Sequence, residues 1–274
     1  MGEVFKRIQG KKEMKSREFI TETQVKPYSF ATYGIDQKSQ LLKTMKLLNT
    51  HYRESLLLMN NPIWRGIKEY YSNIVEFDTT RSERQSSNTS NHYTLLIDNS
   101  PYFVGWPKRS KSLICSTDPH YANSYGTLYA IFPADGTNIA VCPKQDIWET
   151  NISLPEFGVK WKNKVCNLAD FNDWLRFELG LPDVRTNFND IIKATKTTMF
   201  QRRLGMNWPD VEPQEVIPIL QKALSPKKAG FKLMTIPQFA KNAPKDKEVW
   251  VQGKMVAIKH DVFYKFKDAY NKVK

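Results

Sequence analysis

Three short segments of the chain hold residue types suited to binding and chemistry at a charged ligand. The first is Asn61-Pro62-Ile63-Trp64-Arg65-Gly66. An arginine at a strand start presents a rigid guanidinium fork that matches a pyrophosphate, and the following glycine lets the backbone approach closely. The second is Ser112-Leu113-Ile114-Cys115-Ser116-Thr117-Asp118, followed by Ala122 and Tyr125-Gly126. It reads as an apolar strand ending in hydroxyls that can hold a carboxylate in position. The third runs from Pro244 to Gly253 and contains Asp246 and Glu248. Two acids at i and i+2 of an extended chain share a face. Paired carboxylates facing a cleft stabilise a cationic transition state and activate a nucleophile. Taken singly, each segment has a plainer explanation: a surface arginine in a turn, strand-end capping by Ser and Thr, or a charged edge that discourages aggregation.

The elements that must position these residues follow from periodicity. Residues 1–35 are polar and basic and read as an N-terminal arm, with one domain over 36–274. From Asp36, Leu41, Met45, Leu48, Tyr52 and Leu56 recur at helical spacing up to the stop at Asn60-Asn61-Pro62. A polar loop is expected over 78–91. Strands are expected at Tyr93–Asp98, Ser112–Ser116 and Thr127–Phe132, the last turning through Pro133-Ala134-Asp135-Gly136 into Asn138–Cys142 as a hairpin. Residues 169–224 have helical texture, starting after Asn167 and closed first at Gly180-Leu181-Pro182. Glu248–Gln252 and Lys254–Lys259 read as strands separated by Gly253, and Asp261–Val273 as a closing helix. The pattern is that of an α+β domain.

Composition narrows the function classes. With 41% hydrophobic and 12% aromatic residues the chain can bury a core. No stretch has the length or flanks of a signal peptide or a membrane span, so no membrane role and a cytoplasmic location are expected. The three cysteines, Cys115, Cys142 and Cys166, form no CxxC pair and the four histidines are scattered, so no metal site is expected. Cys115 and His120 lack an orienting partner for a nucleophilic pair. The net charge is +13, and residues 182–274 hold 18 basic against 9 acidic residues. That excess fits a polyanionic partner or a nucleotide cofactor.

In their order, the three segments resemble the mono-ADP-ribosyltransferases of the Arg-Ser-Glu class, including bacteriophage-type members. That family carries an aromatic-Arg-Gly strand start, then Ser-Thr-Ser, then Glu-x-Glu. The resemblance covers roughly residues 40–142 and 240–260, and implies a split mixed-sheet core with a helix before it. Here Asp118 stands at the third position of Ser-Thr-Ser and Asp246 at the first of Glu-x-Glu. The long stretch between Ser116 and Glu248 is read as a mainly helical insertion at about 143–235. The resemblance implies NAD as substrate, with its ADP-ribose passed to a protein or nucleic-acid acceptor, in the host cytoplasm or from a virion. Arg65, with Gly66 beside it, would grip the pyrophosphate, and Arg109 is a second candidate for phosphate contact. Ser116, helped by Thr117, would orient Glu248; Glu248 would stabilise the ribose cation; Asp246 would position or deprotonate the acceptor. Tyr125 could flank the nicotinamide or pack the core. Glu149, in Asp146-Ile147-Trp148-Glu149, is the alternative catalytic acid and would need no insertion. The competing class is a non-enzymatic basic nucleic-acid-binding or virion structural protein.

Overall fold

The computed structural model describes residues 28–29, 37–68, 72–81, 84, 90–153, 165–182 and 187–273. In chain order the first half holds β1 (Tyr28–Ser29), α1 (Gln37–His51), a 3-10 turn (Glu54–Met59), β2 (Ile63–Ile67), β3 (Ile74–Asp78), α2 (His92–Asp98), β4 (Ser112–Ser116), α3 (Pro119–Asn123), β5 (Thr127–Pro133) and β6 (Asn138–Val141). The second half holds β7 (Asn151–Ser153), β8 (Val165–Asn167), α4 (Leu168–Phe177), α5 (Phe188–Thr195), α6 (Thr198–Asn207), α7 (Val216–Ala223), α8 (Pro226–Ala229), β9 (Lys232–Thr235), α9 (Ile236–Asn242), β10 (Glu248–Gln252), β11 (Lys254–Lys259) and α10 (His260–Val273). The protein is α+β, with an open antiparallel sheet of eight strands that the two-residue β1 extends at one edge. The order is β1-β3-β11-β5-β2-β4-β10-β6-β9, and β7 pairs with β8 apart from it.

This order cannot belong to a flat sheet. β10 and β11 lie four positions apart, about 19 Å at about 4.8 Å per strand. Only Gly253 joins them, and one residue bridges at most about 7 Å between its neighbours. The sheet therefore folds over, and Gly253, at φ +114°, takes the corner with a backbone that side-chain-bearing residues rarely adopt. Thr79 pins that corner: its N–H donates to the Gly253 carbonyl at 3.1 Å and its hydroxyl accepts from the Gly253 N–H at 2.9 Å.

Side-chain alternation explains why the fold-over is stable. Ile63 and Ile67 of β2, Val75 and Phe77 of β3, Tyr129 and Ile131 of β5, and Met255 and Ala257 of β11 bury against Leu113, Cys115, Ile139, Val141, Val249 and Val251 of β4, β6 and β10. The intervening residues point outward. Trp64, Ala130, Phe132, Val256 and Ile258 pack under α1 and α10 through Leu48, Tyr52, Phe263 and Phe266. Ile114, Ala140 and Trp250 pack under α2 and the helices α4–α7. At about 25 cal/mol per Å² of apolar surface removed from water, these three clusters are the main favourable term of the fold.

Several sequence expectations are corrected. Residues 93–98 are helical, not a strand: Tyr93 to Ile97 are all buried, so no polar face marks their period. β5 and β6 form no hairpin; the turn at Ala134–Thr137 carries the chain across the fold, and β5 pairs with β2 and β11 while β6 pairs with β10 and β9. All pairings are antiparallel, in place of a mixed sheet. The described residues of 143–235 hold α4–α8, the separate β7–β8 ribbon and the edge strand β9. Asn167 caps α4 by accepting the Asp170 N–H at 2.8 Å. The 1–35 arm lies outside the described residues except for Tyr28–Ser29, as do residues 82, 83 and 85–89 of the 78–91 loop. Among the described residues no helix is long and apolar enough to cross a membrane.

Candidate active site

The sheet is weakest where β2 meets β4. Five residue pairs join β4 to β10 and five join β2 to β5, but Trp64↔Ser116 alone joins β2 to β4. A shallow, partly open pocket lies at that join, lined by Trp64, Arg65, Gly66, Ile114, Cys115, Ser116, Tyr121, Ala122, Tyr125 and Glu248. Successive residues of both β2 and β4 line it, although successive residues point to opposite faces. The space therefore enters the sheet through the split rather than resting on one face.

Arg65 occupies a place in β2 where alternation calls for an apolar residue, between Ile63 and Ile67. It is 6% exposed, and its Nη1 donates to the Ile114 carbonyl at 2.7 Å. That carbonyl is accessible because the β2–β4 ladder stops after one pair. The guanidinium also lies 5.7 Å from the Tyr125 ring centre, and Tyr125 donates to the Tyr121 hydroxyl at 3.0 Å. An aromatic wall thus faces the cation, a contact that strengthens when water is excluded. Gly66 allows α3 to touch β2: a Cβ there would sit 2.0 Å from the Ala122 carbonyl oxygen.

The Ser116-Thr117-Asp118 segment ties the pocket wall together. The Ser116 hydroxyl accepts the Asp118 N–H at 3.0 Å. Asp118 caps α3, accepting from the His120 N–H at 2.8 Å and from the Gln145 side chain at 2.7 Å. An aspartate at the third position is thus an N-cap, the task for which Asp and Ser are alike suited. The Thr117 hydroxyl accepts the Lys247 N–H at 2.9 Å, and the Thr117 N–H returns a bond to the Lys247 carbonyl at 3.0 Å. Thr117 therefore fixes the approach to β10 and does not line the pocket. Asp246 is exposed, at φ +53°, and does not line it either.

Glu248 stands directly across the ladder from Ser116. Ser116 does not clamp its carboxylate, contrary to expectation. Oε1 accepts from the Trp250 indole N–H at 2.7 Å and lies 3.7 Å from Arg109 Nη2; Oε2 accepts the Ile147 N–H at 3.3 Å; the Cys142 thiol is 3.9 Å away. Burial pushes the carboxyl above its ordinary range, Arg109 pulls it back, Asp146 pushes it up again, and the Trp250 bond and Arg84 lower it. Burial likewise lifts the Cys142 thiol and the Tyr93 phenol beside it. Arg109 is 1% exposed and sits behind Glu248, outside the pocket lining, so a phosphate contact from it is corrected to a contact with the acid.

Arg65, Gly66, Ser116, Tyr125 and Glu248 are thus gathered at one pocket, while Thr117, Asp246 and Arg109 surround it at one remove. Glu149 is exposed on the 3-10 turn Ile147–Glu149 and takes no part. Sequence reasoning missed Trp250, Trp148, Cys142, Tyr93 and Tyr121. Trp250 alone carried a legible signal, two residues after Glu248 on the same strand face. Among the described residues no group of His, Cys, Asp and Glu could hold a metal ion. No protein-family model, curated protein or solved structure matches the chain.

Proposed function

We propose that the protein is an NAD-dependent ADP-ribosyltransferase, which cleaves nicotinamide from NAD and passes ADP-ribose to a macromolecular acceptor. One observation carries the reading. Arg65, Ser116 and Glu248, distant in sequence and matching the three motif positions of the Arg-Ser-Glu class, line one pocket at the split of an antiparallel sheet.

In this reading the bond between ribose C1′ and the nicotinamide nitrogen breaks, its electron pair leaves with neutral nicotinamide, and the ribose becomes cationic. Glu248 stabilises that cation across a short, poorly solvated distance, where a charge acts most strongly. Arg65 holds the pyrophosphate. The acceptor's nucleophile attacks C1′ and gives its proton to Asp246, whose exposure two residues before Glu248 suits contact with a large substrate. A second reading, a non-enzymatic nucleic-acid-binding protein, has the +13 charge in its favour. Incubation with NAD labelled in its adenylate part, in the presence of a bacterial lysate, separates the two. Transfer of label to protein or nucleic acid supports the transferase. Steeply salt-dependent DNA or RNA binding with no nicotinamide release supports the alternative.

A further inference from the structure

We infer that Arg109 is the positioning residue for Glu248: paired with the carboxylate from outside the pocket lining, it holds the acid anionic and fixed in the pocket wall. Its meaning for catalysis rests on the transferase reading, whereas the pairing rests on geometry alone. The Arg109 guanidinium lies 3.7 Å from Glu248 Oε1, with its central carbon 5.8 Å from the Trp148 ring centre and 5.6 Å from that of Trp250. Nη1 donates to the Thr94 hydroxyl at 3.4 Å. The backbone is fixed from behind, since Asp98 accepts the Arg109 N–H at 2.7 Å and the Ser110 N–H at 2.9 Å. Trp250 completes the arrangement by touching both partners, its indole donating to Glu248 while its ring faces the cation.

A purely architectural role explains this poorly. Arg109 Nε is buried without a hydrogen-bond partner, which costs stability. A buried ion pair is also no better for stability than well-packed apolar residues of the same volume. Tyr93, Phe103 and Trp148 are close enough in the fold to have built such an apolar core. What the arginine adds is charge beside a carboxylate that burial would otherwise protonate. The groups facing Glu248 make the balance specific: burial and Asp146, at the start of the 3-10 turn Ile147–Glu149, favour its neutral form, whereas Arg109 before β4, the Trp250 indole and, more weakly, Arg84 favour the anion, and Cys142 after β6 and Tyr93 on α2 face it with their own protons held by burial. Removing Arg109 leaves burial and Asp146 opposed only by the Trp250 bond and Arg84.

The test uses the full chain with ¹³C-labelled glutamate carboxyls, the Glu248 signal being assigned by its loss in Glu248→Gln. In Arg109→Gln the Glu248 titration is expected to rise by roughly one to three pH units, the size of an adjacent opposite charge. Turnover of NAD at pH 7 should fall about tenfold or more, with its acid limb moving up in parallel and NAD affinity little changed. Arg109→Lys should restore much of both. An unchanged Glu248 titration in Arg109→Gln overturns the inference. A shifted titration in a protein that never turns over NAD upholds the pairing and overturns the transferase reading instead. If Arg109→Gln does not fold, adding Glu248→Gln should rescue it by removing the uncompensated buried charge; a double variant no more stable than the single one also overturns the inference.

Discussion

Replacing Gly66 by alanine tests the pocket wall without touching any charged group. The added Cβ would lie 2.0 Å from the Ala122 carbonyl oxygen, 2.9 Å from the Gly126 nitrogen and 3.1 Å from the Ala122 carbonyl carbon. All three are backbone atoms, so no side chain can swing away. Carbon and carbonyl oxygen settle at about 3.3 Å, which means α3 must withdraw from β2 by more than about 1 Å. Ala122 O also accepts the Tyr125 N–H at 3.1 Å, and Asp118 clamps the start of α3. Overpacking of this kind costs about 1–3 kcal/mol, and a strained hydrogen bond about 1 more. We therefore expect Gly66→Ala to lose about 3 kcal/mol, read from urea unfolding, and to bind NAD at least about tenfold more weakly. Gly205→Ala is the control: no atom lies within 4 Å of its added Cβ, which sits on the exposed side of α6. It should gain about 0.5–1 kcal/mol from helix propensity. If Gly66→Ala unfolds within about 0.5 kcal/mol of wild type, the close contact of β2 with α3 is wrong, and the pocket geometry with it.

Other outcomes follow from the same geometry. Arg65→Lys keeps a cation but loses the fork, so NAD affinity should fall about tenfold or more by calorimetry, an undiminished affinity refuting the pyrophosphate role. Glu149→Gln should leave NAD hydrolysis within about twofold of wild type, since that side chain is exposed away from the pocket. Asp246→Ala should spare NAD hydrolysis more than transfer to an acceptor; equal losses in both would place Asp246 in the first chemical step. Burial raises the Glu248 carboxyl in the folded protein, so as pH falls the folded state takes up its proton before the unfolded state does. Wild type should then gain stability relative to Glu248→Gln as pH falls from 7 toward 4.5 in urea titrations, and a relative loss over that window would mean the acid is depressed instead.

Three residues of the pocket lining were legible because each breaks a local rule. Arg65 interrupts an apolar row, Gly66 sits inside a strand, and Glu248 opens a strand of Val and Trp. The helix leading into β2 was legible too: Leu48 and Tyr52 are buried at the spacing expected of one face, although α1 ends at His51 and a 3-10 turn continues the path. The fold-over was not legible. Pro133-Ala134-Asp135-Gly136 has the composition of a hairpin turn, and only long-range pairing of β5 with β11 decides that it is a crossing. The Glu248 shell was hidden for a similar reason. Arg109, Ile147 and Cys142 reach the acid from two separate connections, and a basic residue in Pro107-Lys108-Arg109-Ser110 looks in sequence like a surface cation. β3 and β9 also passed unmarked. Lys232-Leu233-Met234-Thr235 is a mostly exposed edge without alternation, and the apolar content of Ile74–Asp78 is too brief to stand out.

The most direct test of the account compares nicotinamide release and NAD affinity in wild type and Glu248→Gln, measured side by side at pH 7. The substitution preserves shape and the acceptor atom facing Trp250 but removes the charge that would stabilise the ribose cation. Ground-state NAD carries no such ribose charge, so its affinity should change little while release falls by roughly a hundredfold or more. Release by Glu248→Gln at the wild-type rate, or no nicotinamide released by wild type under any acceptor, would contradict it.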